Sequence, residues 1–143
     1  MKRSIKILLF SIIYLFLVSH VHANAEELFN RGKTNYRIVL SSNASKTEET
    51  AANELATYLK QISGTTFEIT GTPGERNIYV GYDSANKVFK RLTAYKNDDD
   101  GFMVMTIGSD IVIFGGKERG TMYGVYRFLE TLFGVEWLSL IHI

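Results

Sequence analysis

The residues best suited to contact another molecule lie in one charged turn and the helix predicted to follow it. Arg119 stands on the turn, and Tyr123, Arg127 and Glu130 recur at intervals that a helix places on one face. A guanidinium fork can hold a carboxylate, either from a sugar acid or from a neighbouring domain. Packing within the domain is the alternative. Arg119, Tyr123 and Arg127 are therefore candidates for substrate or interdomain contact.

The chain offers few groups for catalysis or metal binding. The histidines stand near the two ends of the chain, at His20, His22 and His142. There is no cysteine, which excludes disulfides, thiolate metal sites and a cysteine nucleophile. The run Asp98–Asp100 lacks the spaced ligands of a calcium loop, and the glutamates between positions 48 and 54 indicate a solvated helix face. We therefore predict no catalytic residue, metal site or cofactor.

Two segments have helical periodicity. The first begins with a capping box, in which Ser45 and Glu48 satisfy each other's backbone donors, and ends at Gly64. Its apolar stripe comprises Ala51, Ala52, Leu55, Tyr58, Leu59 and Ile62. The second runs over residues 121–133, with an apolar stripe of Met122, Val125, Tyr126, Leu129, Leu132 and Phe133. Gly120 and Gly124 remove side chains where this helix could press against a sheet.

Short apolar or alternating runs predict strands at residues 36–41, 67–70, 77–82, 102–107 and 111–114. Asp83 or Ser84 would cap a short helix that uses Val88, Phe89 and Leu92. A strand, a helix and a strand in succession favour a parallel crossover, whereas the last two strands form an antiparallel hairpin. We therefore expect an α+β domain: a mixed sheet of about five strands with two main helices packed on one face, the other face or an edge being left for something else.

The first 25 residues have the pattern of a secretory signal peptide. A basic start precedes the apolar run Ile7–Val18, and small residues end at Ala25. The run is shorter than the roughly 20 residues that a membrane-spanning helix needs, so we expect a secreted or periplasmic protein with no membrane contact after cleavage. The remaining 13 basic residues against 15 acidic ones argue against nucleic acid as a partner.

Three motifs resemble the N-terminal domain of family 67 α-glucuronidases and related secreted glycosidase-like proteins. They are Ala51–Leu59 followed by Ser63-Gly64, then Ile78–Gly81, and Arg119–Glu130. The domain that precedes the barrel in β-hexosaminidases is similar. The resemblance implies that residues 26–137 are a non-catalytic accessory domain of a truncated glycoside hydrolase, whose missing partner is a C-terminal catalytic barrel of the same chain.

The resemblance further implies an α-glucuronidase-like parent that acts on xylan-derived oligosaccharides by an inverting reaction. One alternative is a carbohydrate-binding or surface module without hydrolase activity, in which exposed aromatic rings stack on sugars. Its candidate rings are Tyr79, Tyr82, Tyr95 and Phe102, although the sequence favours burial for most of them. A third interpretation is an intact small secreted protein. Oligosaccharide is thus a candidate ligand of the chain.

The last six residues, Leu138–Ile143, depart from this resemblance. Leu-Ser-Leu-Ile-His-Ile matches the translation of a transposon end used to prepare sequencing libraries. We therefore interpret residues 138–143 as adapter read-through and leave them out of the fold prediction.

Overall fold

In a computed structural model of the chain, the residues described are 28–86, 88–89, 101–116 and 119–136. The predicted signal peptide, the Asp98–Asp100 run and the interpreted adapter segment lie outside these ranges.

The described residues form one five-stranded sheet and three helices. The strands are β1 Tyr36–Leu40, β2 Ile69–Thr70, β3 Arg76–Val80, β4 Phe102–Ile107 and β5 Asp110–Gly115. The helices are α1 Lys46–Ser63, α2 Tyr82–Asn86 and α3 Gly120–Phe133. The strand order is β2-β1-β3-β5-β4; all neighbours are parallel except β4, which runs antiparallel to β5. The predicted mixed sheet and α+β class are confirmed.

The two long helices cover one face of the sheet, as predicted. Their buried side chains pack on sheet residues in one cluster that includes Ile38, Ile78, Val80, Ile111, Ile113, Ala51, Ala52, Leu55, Leu59, Val125, Phe128 and Leu129. One member of the predicted α1 stripe differs: Ile62 is 39% exposed. The stripe thus ends one turn before the helix does.

The opposite face carries a second, smaller apolar cluster of Val39, Tyr79, Ala85, Val112 and Phe114. The short helix α2 supplies Ala85, and the following Phe89 ring meets Tyr79 edge-on at 5.5 Å between centroids. Both faces of the central strands are therefore buried, which explains the apolar runs Ile78–Val80 in β3 and Ile111–Phe114 in β5.

Helix α1 begins as the capping box predicts. Ser45 N donates to Glu48 Oε2 at 2.8 Å, and Glu48 N donates to Ser45 Oγ at 3.2 Å. Glu48 Oε1 also accepts from Tyr82 N at 3.1 Å, beside Gly81, whose φ is +88°. A Cβ at position 81 would collide with this carboxylate. The prediction of a solvated Glu48 is therefore wrong, because its carboxylate joins the starts of α1 and α2.

Two predicted boundaries also shift near this carboxylate. Strand β3 ends at Val80 and α2 starts at Tyr82, so Asp83 and Ser84 lie inside the helix instead of capping it. The Ser84 hydroxyl instead accepts from Ser41 N at 2.7 Å, just beyond the end of β1. Sequence patterns missed this contact because the two serines are far apart in the chain.

We predict that Glu48→Ala lowers the free energy of unfolding by about 1–2 kcal/mol, because it removes a helix cap and the acceptor of Tyr82 N. Glu49→Ala is the matched control: Glu49 lies in the same turn, and its carboxylate is 3.7 Å from exposed Lys46 Nζ. That change should cost less than about 1 kcal/mol. Urea unfolding of both variants tests this, and equal losses would contradict the assigned role.

Candidate functional site

Helix α3 lies against β5 because glycines occupy the contact. A Cβ on Gly120 would collide with the Gly101 carbonyl oxygen, and one on Gly115 would collide with the Gly120 backbone. A Cβ on Gly124 would lie 2.9 Å from Ile113 Cγ2. The close packing predicted at Gly120 and Gly124 is confirmed, and it places the helix backbone directly on the sheet.

Hydrogen bonds secure the same junction. Gly115 N donates to Thr121 Oγ1 at 3.1 Å, and Gly116 N donates to the Gly101 carbonyl at 2.8 Å. The first turn of α3 is thereby tied to the end of β5, and the residue after β5 to the residue before β4. The orientation of every outward side chain on α3 follows from this junction.

The three candidate residues occupy the outer side of α3. Arg119 is exposed at the N-cap position, and its side chain does not cap the helix. Tyr123 is 39% exposed. Arg127 Nη1 donates to Glu130 Oε2 at 2.8 Å, with both side chains about half exposed. Of these residues, Arg127 lines a groove between α3 and β4, whereas Arg119 and Tyr123 do not.

The α3–β4 groove has a volume of about 270 Å³. It is lined by Val104, Met105, Thr106, Ile111, Arg127, Phe128, Thr131 and Leu132. Buried Ile111 and Phe128 belong to the main core, so the groove opens directly onto it. Its polar groups are the Arg127 guanidinium, two threonine hydroxyls and the backbone.

The two elements that form the groove also carry exposed large apolar side chains. Phe102 on β4 is 40% exposed, Val104 is 37% exposed, and Tyr123 is exposed to a similar degree. Among the described residues, five large apolar side chains are exposed, and the other two, Ile62 and Val88, lie on or after other helices. We call Phe102, Val104, Thr106, Tyr123 and Arg127, with the groove, the α3–β4 surface. Because these exposed apolar side chains share two neighbouring elements, the α3–β4 surface is a candidate interaction site.

The chemistry of the α3–β4 surface suits a polypeptide better than a sugar. A sugar site combines an exposed aromatic ring with several converging polar groups, and the groove has only a few. Of the four candidate rings for stacking, Tyr79 is buried, as favoured for most of them, at 2% exposed. Tyr82 is partly buried, and its ring centroid lies 5.9 Å from that of Phe114. Phe102 is exposed, and Tyr95 lies outside the described residues.

The phenols of Tyr79 on β3 and Tyr126 on α3 are poor acid-base groups. Burial, and then the nearby Asp110 carboxylate, raises the pKa of Tyr79 above its usual value of 10.0. Burial, followed by Glu54 and Tyr58, raises the pKa of Tyr126 in the same direction. Both side chains stay protonated at neutral pH, since a raised pKa favours the neutral phenol.

Two further properties concern the described ranges as a whole. They contain no group of three or more histidine, cysteine, aspartate and glutamate side chains arranged to hold a metal ion. None of the helices described is both long and apolar enough to cross a membrane.

Sequence reasoning missed Val104 and Thr131 as surface residues. The run Phe102–Ile107 contains no charged residue, and its pattern predicts a strand without indicating that the strand is uncovered. Its place at the edge of the sheet depends on strand order, which residue patterns do not encode. An uncharged edge strand is itself the signal once that order is known.

Comparison with known proteins identifies the family of the chain. The family model described as glycosyl hydrolase family 67 N-terminus matches residues 21–128. The chain belongs to this family. The match includes β1 to β5 and most of α3, including Arg119, Tyr123 and Arg127. The chain is thus a glycosidase-associated domain, which agrees with the resemblance carried by its motifs.

Solved structures share the fold of this family 67 N-terminal domain. One is a family GH115 4-O-methyl-α-glucuronidase with specificity for decorated arabinogalactans: identity is 23%, the TM-score is 0.57, and the match covers 71% of this chain and 14% of that chain. Another is a GH138 enzyme targeting pectin rhamnogalacturonan II. Its identity to this chain is 19% and the TM-score is 0.50, and the match covers 73% of this chain and 11% of that chain. The chain therefore spans a small part of the length of either enzyme. No curated protein matches it significantly.

We predict that Gly120→Ala destabilises the family 67 N-terminal domain by about 1–3 kcal/mol, despite the better helix propensity of alanine, because its Cβ meets backbone that cannot yield. Gly71→Ala is the control, since a Cβ there has its nearest neighbour at 3.8 Å. Thermal unfolding should show a clear loss for the first variant and little change or a slight gain for the second. Equal behaviour would contradict the contact.

We predict that Arg127→Ala changes the stability of this chain by less than about 1 kcal/mol, because the ion pair with Glu130 is half exposed. Denaturant unfolding of Arg127→Ala and Glu130→Ala measures the change. A loss well above this value in either variant would assign Arg127 to the internal structure of the domain instead of to an outward contact.

Proposed function

We propose that this chain is the N-terminal accessory domain of a secreted, α-glucuronidase-like glycoside hydrolase that acts on xylan-derived oligosaccharides. The observation that carries the proposal is the family match over residues 21–128. The glucuronidase among the structural neighbours supports the reaction class through a shared fold only. Residues 1–25 support export through their signal-peptide pattern.

In this proposal the bond-breaking groups belong to the rest of the polypeptide. Inverting glycosidases use a carboxylic acid that protonates the leaving oxygen and a carboxylate that activates water from the opposite face. The accessory domain contributes a rigid support. The carboxylate of Glu48, which joins the starts of α1 and α2, and the glycine-lined contact of α3 with β5 both serve rigidity, which is the property that a support needs.

A comparison of two polypeptides tests the function. One is the 143-residue chain, and the other is the longer product obtained by resequencing the locus past Trp137 and expressing the complete reading frame. We expect the longer product to release uronic acid from 4-O-methylglucuronic-acid-decorated xylooligosaccharides, and the 143-residue chain to release none. Chromatography of released uronic acid is the measurement, with undecorated xylooligosaccharides as the substrate control.

Three outcomes would contradict the proposal. Turnover by the 143-residue chain alone would place catalysis within it. Release from decorated arabinogalactan but not from xylooligosaccharides would keep the reaction class and refute the xylan substrate. Oligosaccharide binding without turnover by the complete product would favour the carbohydrate-binding module instead.

A further inference from the structure

We infer that the α3–β4 surface is where this domain docks the catalytic region of its own polypeptide, through an apolar segment that fills the groove and covers the edge of β4. The identity of the partner in this inference rests on the proposed function. The location of the docking surface rests on the geometry of α3 and β4.

The first argument concerns the edge of the sheet. Strand β4 pairs with β5 without a bulge, from Phe102 opposite Gly115 to Ile107 opposite Asp110. Its six residues, Phe-Met-Val-Met-Thr-Ile, include no charge and no proline. Soluble proteins protect an exposed edge with charges, proline, bulges or a covering element, and β4 has none of the first three. A covering element is the remaining protection.

The second argument concerns the space beside the edge. Side chains on β4 alternate in exposure. The exposed ones are Phe102, Val104 and Thr106, and each pairs with a β5 residue on the face that the helices cover. Helix α3 lies over β5, and the groove remains between the helix and these side chains. A cavity of about 270 Å³ with this lining accepts one or two aliphatic or aromatic side chains.

The third argument concerns the class of partner. An oligosaccharide would find few polar partners in this groove, whose polar side chains are Arg127, Thr106 and Thr131. A permanent partner in the same polypeptide suits the surface, because interfaces that never separate can be as apolar as a core. The family is described as the N-terminus of a glycosyl hydrolase, and the chain spans 14% of its glucuronidase neighbour, so such proteins carry extensive further polypeptide. Arg127 and Glu130 would form the polar rim.

The test uses the complete polypeptide from the resequenced locus. It compares the same charge substitution at two positions of similar exposure, one on the α3–β4 surface and one away from it. Val104→Glu places a carboxylate at the centre of β4, and Ile62→Glu places one on α1, where the side chain is 39% exposed. In calorimetry, we expect this domain and the catalytic region to unfold in one coupled transition. Val104→Glu should split it into two separate transitions. Ile62→Glu should leave the coupled transition intact. Limited proteolysis after α3 should accelerate in Val104→Glu and not in Ile62→Glu.

A second variant guards against simple misfolding. Thr131→Phe fills the groove from the exposed side of α3 and adds no charge. The 143-residue chain with either Val104→Glu or Thr131→Phe should keep its circular dichroism spectrum and melting temperature, whereas the complete polypeptide should lose coupling in both. If the complete polypeptide responds to these two variants as it does to Ile62→Glu, the inference is wrong.

The remaining outcomes separate the possible occupants. Light scattering that shows a dimer of the 143-residue chain, dissociated by Val104→Glu while the complete polypeptide stays coupled, would assign the surface to a second copy and overturn the inference. Loss of xylooligosaccharide binding in Val104→Glu but not in Ile62→Glu would assign it to sugar and also overturn it. A complete polypeptide without hydrolase activity would refute the proposed function, while the calorimetry would still decide the docking surface.

Discussion

The backbone of α3 can approach β5 only because Gly115, Gly120 and Gly124 have no side chains at the contact. This constraint sets the height and the lateral position of the helix over the sheet. In this position over β5, α3 packs against α1 on one side and leaves the outer part of β4 uncovered on the other. The buried core on the α1 side and the apolar groove on the β4 side are therefore two consequences of one contact.

The ends of the sheet are held by polar groups that each join distant segments. At one end, Glu48 and Ser84 accept backbone donors from Tyr82 and Ser41. At the other, Asp110 Oδ1 accepts from Asn77 N at 2.9 Å and from Asn77 Nδ2 at 3.1 Å, beside the β4–β5 turn. These carboxylates satisfy backbone donors within the domain. They serve the domain as internal supports, which suits an accessory role beside a catalytic region.

Local signals predicted the long helices and the hairpin well. Ser45, Glu48 and Gly64 mark the ends of α1, and the structure shows the reciprocal cap and a left-handed Gly64. Gly108, with φ of 62°, provides the two-residue turn between β4 and β5. Predictions failed where a side chain meets a distant segment: Glu48 at Tyr82 and Ser84 at Ser41.

The sequence by itself determined the secondary structure, the mixed sheet and the glycine-lined helix, because capping, periodicity and turn chemistry act over a few residues. The family came from the resemblance of three motifs, which the family match over residues 21–128 confirms. The sequence also placed Arg119, Tyr123 and Arg127 outside the apolar stripe of α3. Only the tertiary structure decided that β4 forms an edge and that Phe102 and Val104 stay exposed beside a groove. The physical reason is that strand order and helix seating arise from contacts between segments far apart in the chain, and exposure is a property of that whole arrangement.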